Sequence, residues 1–180
     1  MSLNVIDLFS GAGGLSKGFM DAGFDILLGV DNDKDALNTF SINHKGAVAL
    51  QADLSKQESF DQIKEITGNK KVDVIIAGPP CQGFSVTGPR NFDDPRNKLY
   101  LAVIELVKLY KPKGFIIENV PGMANMYKGQ VKDEVLKRLR KMDYNVDCKI
   151  LKACDYGVPQ MRKVDTNRPM YLLWYPLLII

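Results

Sequence analysis

The stretch NVIDLFSGAGGLSKGFMDAGFDILLGVD, residues 4–31, decides the fold class. Asn4–Phe9 is an apolar run of strand length, Gly14–Ala22 has helical spacing, and Ile26–Val30 is a second strand. A strand, a glycine-rich turn, a helix and a second strand that ends at an acid make one βαβ unit. The alternation continues with a helix over Lys34–Asn43, a strand over Val48–Ala52, a helix around Phe60–Ile66 and a strand over Val72–Ala77. Leu99, Val103, Leu106, Val107 and Tyr110 then fall at i, i+4, i+7, i+8 and i+11, a helical stripe that stops at Pro112. Gly114–Val120 reads as a buried strand, Val131, Val135, Leu139 and Met142 as a further helix, and Val146–Leu151 as a strand. Strands separated by helices need crossover connections, so the expected fold is α/β, a parallel, doubly wound sheet with helices on both faces. Ligands in such sheets bind beyond the carboxyl ends of the strands, and the polar and glycine-rich motifs of this chain each come directly after a predicted strand.

A chain of 180 residues with 46% hydrophobic composition can bury one sizeable core but not comfortably two. Its net charge of +3 permits nucleic-acid binding without arguing for it. Cys81, Cys148 and Cys154 form no CxxC pair, and the single histidine, His44, cannot complete a zinc site with them at a familiar spacing, so no metal is expected. Free thiols and the lack of a basic, apolar, small-residue leader point to a reducing cytoplasm. The apolar stretch Met170–Ile180 is too short to span a bilayer and is broken by Pro176, so no membrane partner is expected.

The loop Asp7-Leu8-Phe9-Ser10-Gly11-Ala12-Gly13-Gly14 comes after the first strand and opens a helix, where glycines let a ligand approach the backbone. Its spacing is not GxGxxG, because position 16 is Ser. Asp31, with Asn32 next to it, ends the second strand about twenty residues on, where nucleotide-binding α/β folds place an acceptor for ribose hydroxyls. Asp53 ends the third strand and can accept from an adenine amino group. Either acid alone is as well explained by a helix N-cap or a solvated loop. Acids and polar loops at successive strand ends favour a ligand.

Gly78-Pro79-Pro80-Cys81-Gln82-Gly83-Phe84-Ser85 continues directly from the strand Val72–Ala77. Prolines stiffen the approach to one thiol, and glycine loosens the chain on its far side. A lone cysteine is more often a small buried hydrophobe, but these neighbours are polar and loop-forming. Glu118-Asn119-Val120 ends the strand that starts at Gly114, and a glutamate after largely apolar residues is costly to bury without a task. Its structural alternative is an ion pair with a nearby Lys or Arg.

In this order, DLFSGAGGLSKGF (7–19), GPPCQGFS (78–85), ENV (118–120) and GVPQMR (157–162) resemble the blocks of DNA cytosine-5 methyltransferases, over residues 4 to about 164. The resemblance implies a Rossmann-like, mostly parallel, S-adenosylmethionine-dependent methyltransferase fold. Phe9, Gly11 and Gly13 would line the S-adenosylmethionine pocket, and Asn32 would belong to the same cofactor set. Asp31 would bind the ribose, Asp53 the adenine, and Pro80 the methionine part. Cys81 would be the nucleophile toward cytosine, Glu118 would hold ring nitrogen 3 and the amino group, Asn119 would support the cysteine loop, and Arg162 would contact the base or its phosphate. Residues Phe84 to Arg96 would close over the flipped nucleotide. The implied partner is double-stranded DNA with a flipped cytosine, in a prokaryotic restriction–modification setting, with S-adenosylhomocysteine as product.

The last block departs from the family pattern Gln-x-Arg-x-Arg, since Gln160-Met161-Arg162-Lys163-Val164 lacks the second arginine. DTNRPMYLLWYPLLII (165–180) no longer matches the family, and the target-recognition region is absent. The expected division is therefore a catalytic core, 1–164, and an off-pattern tail, 165–180. Two functions stand: a DNA-methylating core completed by a C-terminal fragment, subunit or missing segment, and an inactive fragment that binds S-adenosylmethionine. A nicotinamide dehydrogenase, the third class, leaves Cys81 and Glu118 without a task and lacks the third glycine.

Overall fold

The computed structural model describes residues 2–80, 98–119, 130–147, 151, 153–157 and 170–176. Cys81, the segment 84–96 and Arg162 lie outside them. The elements run β1 (Asn4–Leu8), α1 (Gly14–Asp21), β2 (Asp25–Asp31), α2 (Lys34–Asn43), β3 (Val48–Gln51), α3 (Gln57–Thr67), β4 (Val74–Ala77), α4 (Lys98–Tyr110), β5 (Gly114–Asn119), α5 (Gln130–Arg140), β6 (Tyr144–Val146) and β7 (Met170–Pro176). A 3-10 turn covers Ala153–Tyr156. The strands form one sheet in the order β3-β2-β1-β4-β5-β7-β6. β1 to β5 pair in parallel, and β7 runs antiparallel to both β5 and β6. The sheet is thus mostly parallel and α/β.

Burial on both faces explains why the strands read as unbroken apolar runs. Ile6, Leu8, Leu28, Val30 and Ile75 face a core closed by Ile63 of α3, Val103, Leu106 and Val107 of α4, and Val135 and Leu139 of α5. On the opposite face Val5, Val74 and Ile76 meet Leu15 and Phe19 of α1. Each fully buried side chain of this kind stabilises the fold by ~1.5–3 kcal/mol of transfer free energy. Phe40 of α2 seats on Gly29 so closely that a Cβ there would lie 2.3 Å from its ring.

Two elements differ from the pattern reading. β6 occupies Tyr144–Val146 rather than Val146–Leu151, and neither Asp147 nor Leu151 is in a strand. Asp143, at φ 62, reverses the chain immediately after α5, and the Tyr144 hydroxyl donates to the Pro112 carbonyl at 2.8 Å, so pairing starts at once. β7 lies within 165–180, where periodicity assigns no element. Its sequence, MYLLWYP, shows no alternation, and its pairing on two sides, with β5 and β6, makes it a strand.

At the amino ends of the strands Asp73 holds three segments together. One carboxylate oxygen accepts the Asn4 N–H at 3.2 Å, and the other lies 3.1 Å from Lys113 Nζ and 3.6 Å from Lys71 Nζ. Burial opposes ionisation of this acid, but the Asn4 N–H and the two ammonium groups outweigh it and hold its pKa below 3.8.

Candidate cofactor cleft and active site

Beyond β1 the chain must turn sharply to start α1. Phe9 takes up the left-handed conformation, φ 58, which is unusual for a bulky residue and concentrates at functional sites. Gly11 comes next but one at φ 52, and the turn closes with the Gly13 N–H donating to Ser10 O at 2.9 Å. The two glycines serve different ends. Among the described residues no heavy atom lies within 4 Å of a Cβ built on Gly11, whereas one on Gly13 would lie 2.3 Å from His44 Nε2. Gly11 leaves backbone bare toward open space, and Gly13 makes room for a neighbour.

Asp31 closes the second side. Its Oδ2 accepts the Gly11 N–H at 2.8 Å and its Oδ1 the Asp33 N–H at 3.0 Å. An ionised carboxylate has about four acceptor positions, so roughly two remain for hydroxyl donors. Asp33 is the N-cap of α2 and accepts from the N–H groups of Asp35 and Ala36. Asp53, after β3, accepts from Ser55 Oγ at 2.7 Å and Ser55 N at 3.0 Å, and these bonds hold its pKa below the ordinary 3.8.

Phe9, Gly11, Asp31, Asn32, Asp53 and Pro80 line one cleft of about 340 Å³ at the carboxyl ends of the strands. Six of the seven residues expected to bind a cofactor are thereby brought together. Gly13 stands outside the lining, against His44 and Phe40. Leu99, in the first turn of α4, also lines the cleft. Read only as part of that helix's apolar stripe, it gives no signal of this in the sequence.

Glu118 stands at the end of β5, half-buried, and burial raises its pKa above the usual carboxylate range. Its Oε2 is 3.7 Å from where a Cβ on Gly78 would lie, and the Phe9 carbonyl oxygen is 3.8 Å from the same point. Gly78 is a cleft residue, so the carboxyl group borders the cleft across a position that has no side chain. Asn119 ends the same strand, its backbone paired with Met170.

Two polar residues next to the turn have tasks that residue patterns do not reveal. Asp7 is 1% exposed on β1 and accepts from Ser16 Oγ at 2.7 Å and from the Ser16 backbone. It supplies α1 with the acceptor that the N-cap, Gly13, lacks. Desolvation raises its pKa to about 7 despite the Ser16 bonds, with repulsion from Asp31 adding to the rise. His44, 2% exposed at the end of α2, bonds to the Gly13 carbonyl at 2.9 Å. Among the described residues no group of three or more His, Cys, Asp or Glu could hold a metal ion, and no helix is long and apolar enough to cross a membrane.

A mostly parallel sheet in this strand order, with a nucleoside-sized cleft at its carboxyl ends, defines a Rossmann-like fold of the S-adenosylmethionine-dependent methyltransferase type. Residues 3–163 match the C-5 cytosine-specific DNA methylase family, to which the chain belongs. It is 44% identical to the type II methyltransferase M1.HphI of Haemophilus parahaemolyticus over 165 residues, 90% of this chain and 44% of that one. It is 35% identical to the type II methyltransferase M.AquIA of a Picosynechococcus species, over 91% of this chain and 70% of that one. A crystal structure of an E. coli protein, described as a DNA modification methyltransferase encoded within a prophage, matches with a TM-score of 0.79 at 38% identity. The match covers 97% of this chain and 47% of that one. The chain thus spans less than half the length of M1.HphI.

Proposed function

We propose that this chain is the cofactor-binding and catalytic part of an enzyme that methylates carbon 5 of cytosine in DNA, using S-adenosylmethionine and releasing S-adenosylhomocysteine. The observation that carries the reading is the cleft itself. Asp31 and Asp53 line it, bare backbone at Gly11 opens onto it, and the Glu118 carboxyl borders it. Asp31 would hold the ribose through its unused lone pairs, Asp53 the adenine amino group, and Phe9, Asn32 and Pro80 the remaining surface. Bound S-adenosylmethionine would supply an electrophilic methyl group.

Cytosine carbon 5 is a weak nucleophile, so a thiolate must first add to carbon 6. Cys81, directly after Pro80, is the residue for that bond. As the sulfur–carbon bond forms, negative charge develops toward ring nitrogen 3. Glu118, whose pKa burial has raised, can donate a proton or hydrogen bond there. Once carbon 5 carries the methyl group, loss of its proton and departure of the Cys81 sulfur restore the aromatic ring. Arg162 would contact the base or its phosphate, and Asn119 would support the cysteine loop. Reaction above the ring plane requires a flipped base, and 84–96 is the segment suited to closing over it.

Full activity on this reading needs a segment beyond the core, in the same chain or in a partner. An apolar groove of about 230 Å³ runs along α1 between Gly14, Leu15, Gly18, Phe19, Ala22 and Phe24, and offers that segment a seat. The relatives' greater length points the same way. The decisive experiment incubates the 180-residue chain with DNA and radiolabelled S-adenosylmethionine, alone and with the C-terminal region of a relative such as M1.HphI. Incorporation is expected only in the completed form, together with a covalent adduct to DNA containing 5-fluorocytosine that Cys81→Ser abolishes. An adduct that survives the substitution overturns the nucleophile assignment. S-adenosylmethionine binding with no incorporation in any form leaves the inactive-fragment reading in its place.

A further inference from the structure

We propose that His44 is a positioning residue for the cofactor turn, acting through the Gly13 carbonyl; the inference rests on the reading of the cleft as an S-adenosylmethionine site. His44 lies thirty-one residues from Gly13 in the chain, yet its Nε2 is 2.9 Å from that carbonyl oxygen. A carbonyl only accepts, so Nε2 carries the hydrogen and donates. Burial, with Lys17 adding to the effect, holds the imidazole below its usual pKa of 6.5, which keeps the ring neutral at pH 7 and above. Nδ1 is then an acceptor, and it is buried with no hydrogen-bond partner among the described residues. Leaving an acceptor unpaired in the interior is unfavourable. A residue needed only for its volume would be apolar and would carry no such cost. What the position keeps is the Nε2 donor.

The surrounding geometry gives that donor a purpose. The turn from Ser10 to Gly13 is tied at one point by Asp31, whose Oδ2 accepts the Gly11 N–H at 2.8 Å, and at the other by His44. Phe40, one helical turn before His44, packs against its ring with centroids 4.4 Å apart. The pair forms a wedge between β2 and the turn, and glycines stand at both contact points: a Cβ on Gly29 or Gly13 would each lie 2.3 Å from a wedge atom. α2 therefore borders the cleft with Asp33 and Ala36 at its start and holds the cleft's glycine turn in register at its end. If the clamp is lost, Gly11 no longer presents its backbone at a fixed distance from Asp31, and affinity for the cofactor falls without any direct contact being removed.

The test is equilibrium binding of S-adenosylmethionine to the 180-residue chain by calorimetry at pH 8, for the wild type, His44→Phe and His44→Gln, with the thermal midpoint of each measured without ligand. His44→Phe fills the site but cannot donate, and should weaken binding about three- to tenfold. His44→Gln restores an N–H donor and should return affinity to within about twofold of wild type, even if its midpoint is lower. Equal binding by the Phe variant, or a Gln variant as weak as Phe, overturns the proposal. Should the Phe variant not fold, amide exchange at Gly13 and Gly14 in His44→Gln decides: protection like wild type supports the clamp, and lost protection overturns it. A wild-type chain that binds no S-adenosylmethionine instead removes the cofactor reading, and the proposal with it.

Discussion

Asp73, just before β4, and Glu118, near the end of the neighbouring β5, stand at opposite ends of the sheet, and they are acids in opposite circumstances. Asp73, next to the start of β4, has the Asn4 N–H and two lysines around it and a lowered pKa. Glu118, near the end of β5, is half-buried beside Gly78, and burial raises its pKa. Asp31 and Asp53 share the carboxyl end and receive N–H and O–H donors there, which leaves them lone pairs to offer. An ion-paired acid at one end joins β1, β4 and β5, while Asp31 and Asp53 at the other end line a cleft. The same side-chain chemistry serves architecture where its partners are internal, and is available to a ligand where they are incomplete.

The largest effect expected from this contrast is on the chemical step. Glu118→Gln keeps the shape and loses the acid, so single-turnover methylation by the completed enzyme should slow by about a hundredfold or more. S-adenosylmethionine affinity should stay within about twofold, because Glu118 borders the cleft rather than lining it. An unchanged single-turnover rate removes its catalytic role. Next in size, Asp31→Ala should weaken S-adenosylmethionine binding about ten- to hundredfold, since hydrogen bonds to a charged acceptor contribute ~1.5–3 kcal/mol each. Unaltered affinity in a calorimetric titration would remove the ribose assignment.

Asp73→Ala should leave that affinity alone and lower stability instead. Losing its acceptors exposes the Asn4 N–H and two lysines to an incomplete environment, at a cost of about 1–3 kcal/mol, or several degrees in the midpoint of a domain this size. The native pKa lies below the ordinary 3.8, so the stability it contributes is present above that pH and fades as pH falls through the native value. Acid unfolding of Asp73→Ala should accordingly show a shallower slope below pH 4 than wild type. A variant that instead loses cofactor affinity and keeps its midpoint would break the division between the two ends.

Much of this division is legible in residue order. Strands buried on both faces read as apolar runs, and the helix over Lys34–Asn43 is found with the bounds its period predicts. The acids of the cleft are found because each stands at the end of a strand or just beyond it, where this fold class binds ligands. β6 is not found where expected, because a strand of three residues is defined by its pairing with β7 and by the reversal at Asp143, neither of which leaves a periodic trace. His44 and Asp7 escape for a related reason. Their partners, Gly13 and Ser16, come from other elements, and only the packing of α1 and α2 on the sheet brings them into contact.

Asp7 gives a pH dependence opposite in sign to that of Asp73. It lies at the cleft end of the sheet, yet it is 1% exposed and accepts from Ser16. Its native pKa is about 7 against an ordinary 3.8, so the folded chain binds this proton more tightly than the unfolded chain does. Between those two values the native state is protonated while the unfolded state is not, and the contribution to stability falls as pH rises. Above about pH 7 the carboxylate is ionised in both states and the loss is complete. Asp7→Asn has nearly the same shape, keeps an acceptor for Ser16 and has no charge to desolvate. Below the ordinary 3.8, where Asp7 is protonated in both states, it should match wild type within a few tenths of a kcal/mol. At pH 8 it should be the more stable protein by several kcal/mol, since each pH unit between 3.8 and about 7 takes about 1.4 kcal/mol from the wild type. Thermal midpoints under the two conditions check this. A wild type more stable than Asp7→Asn at pH 8 would mean that the favourable field of the helix terminus outweighs desolvation, and that Asp7 belongs with Asp53 as an acid whose ionised form is favoured.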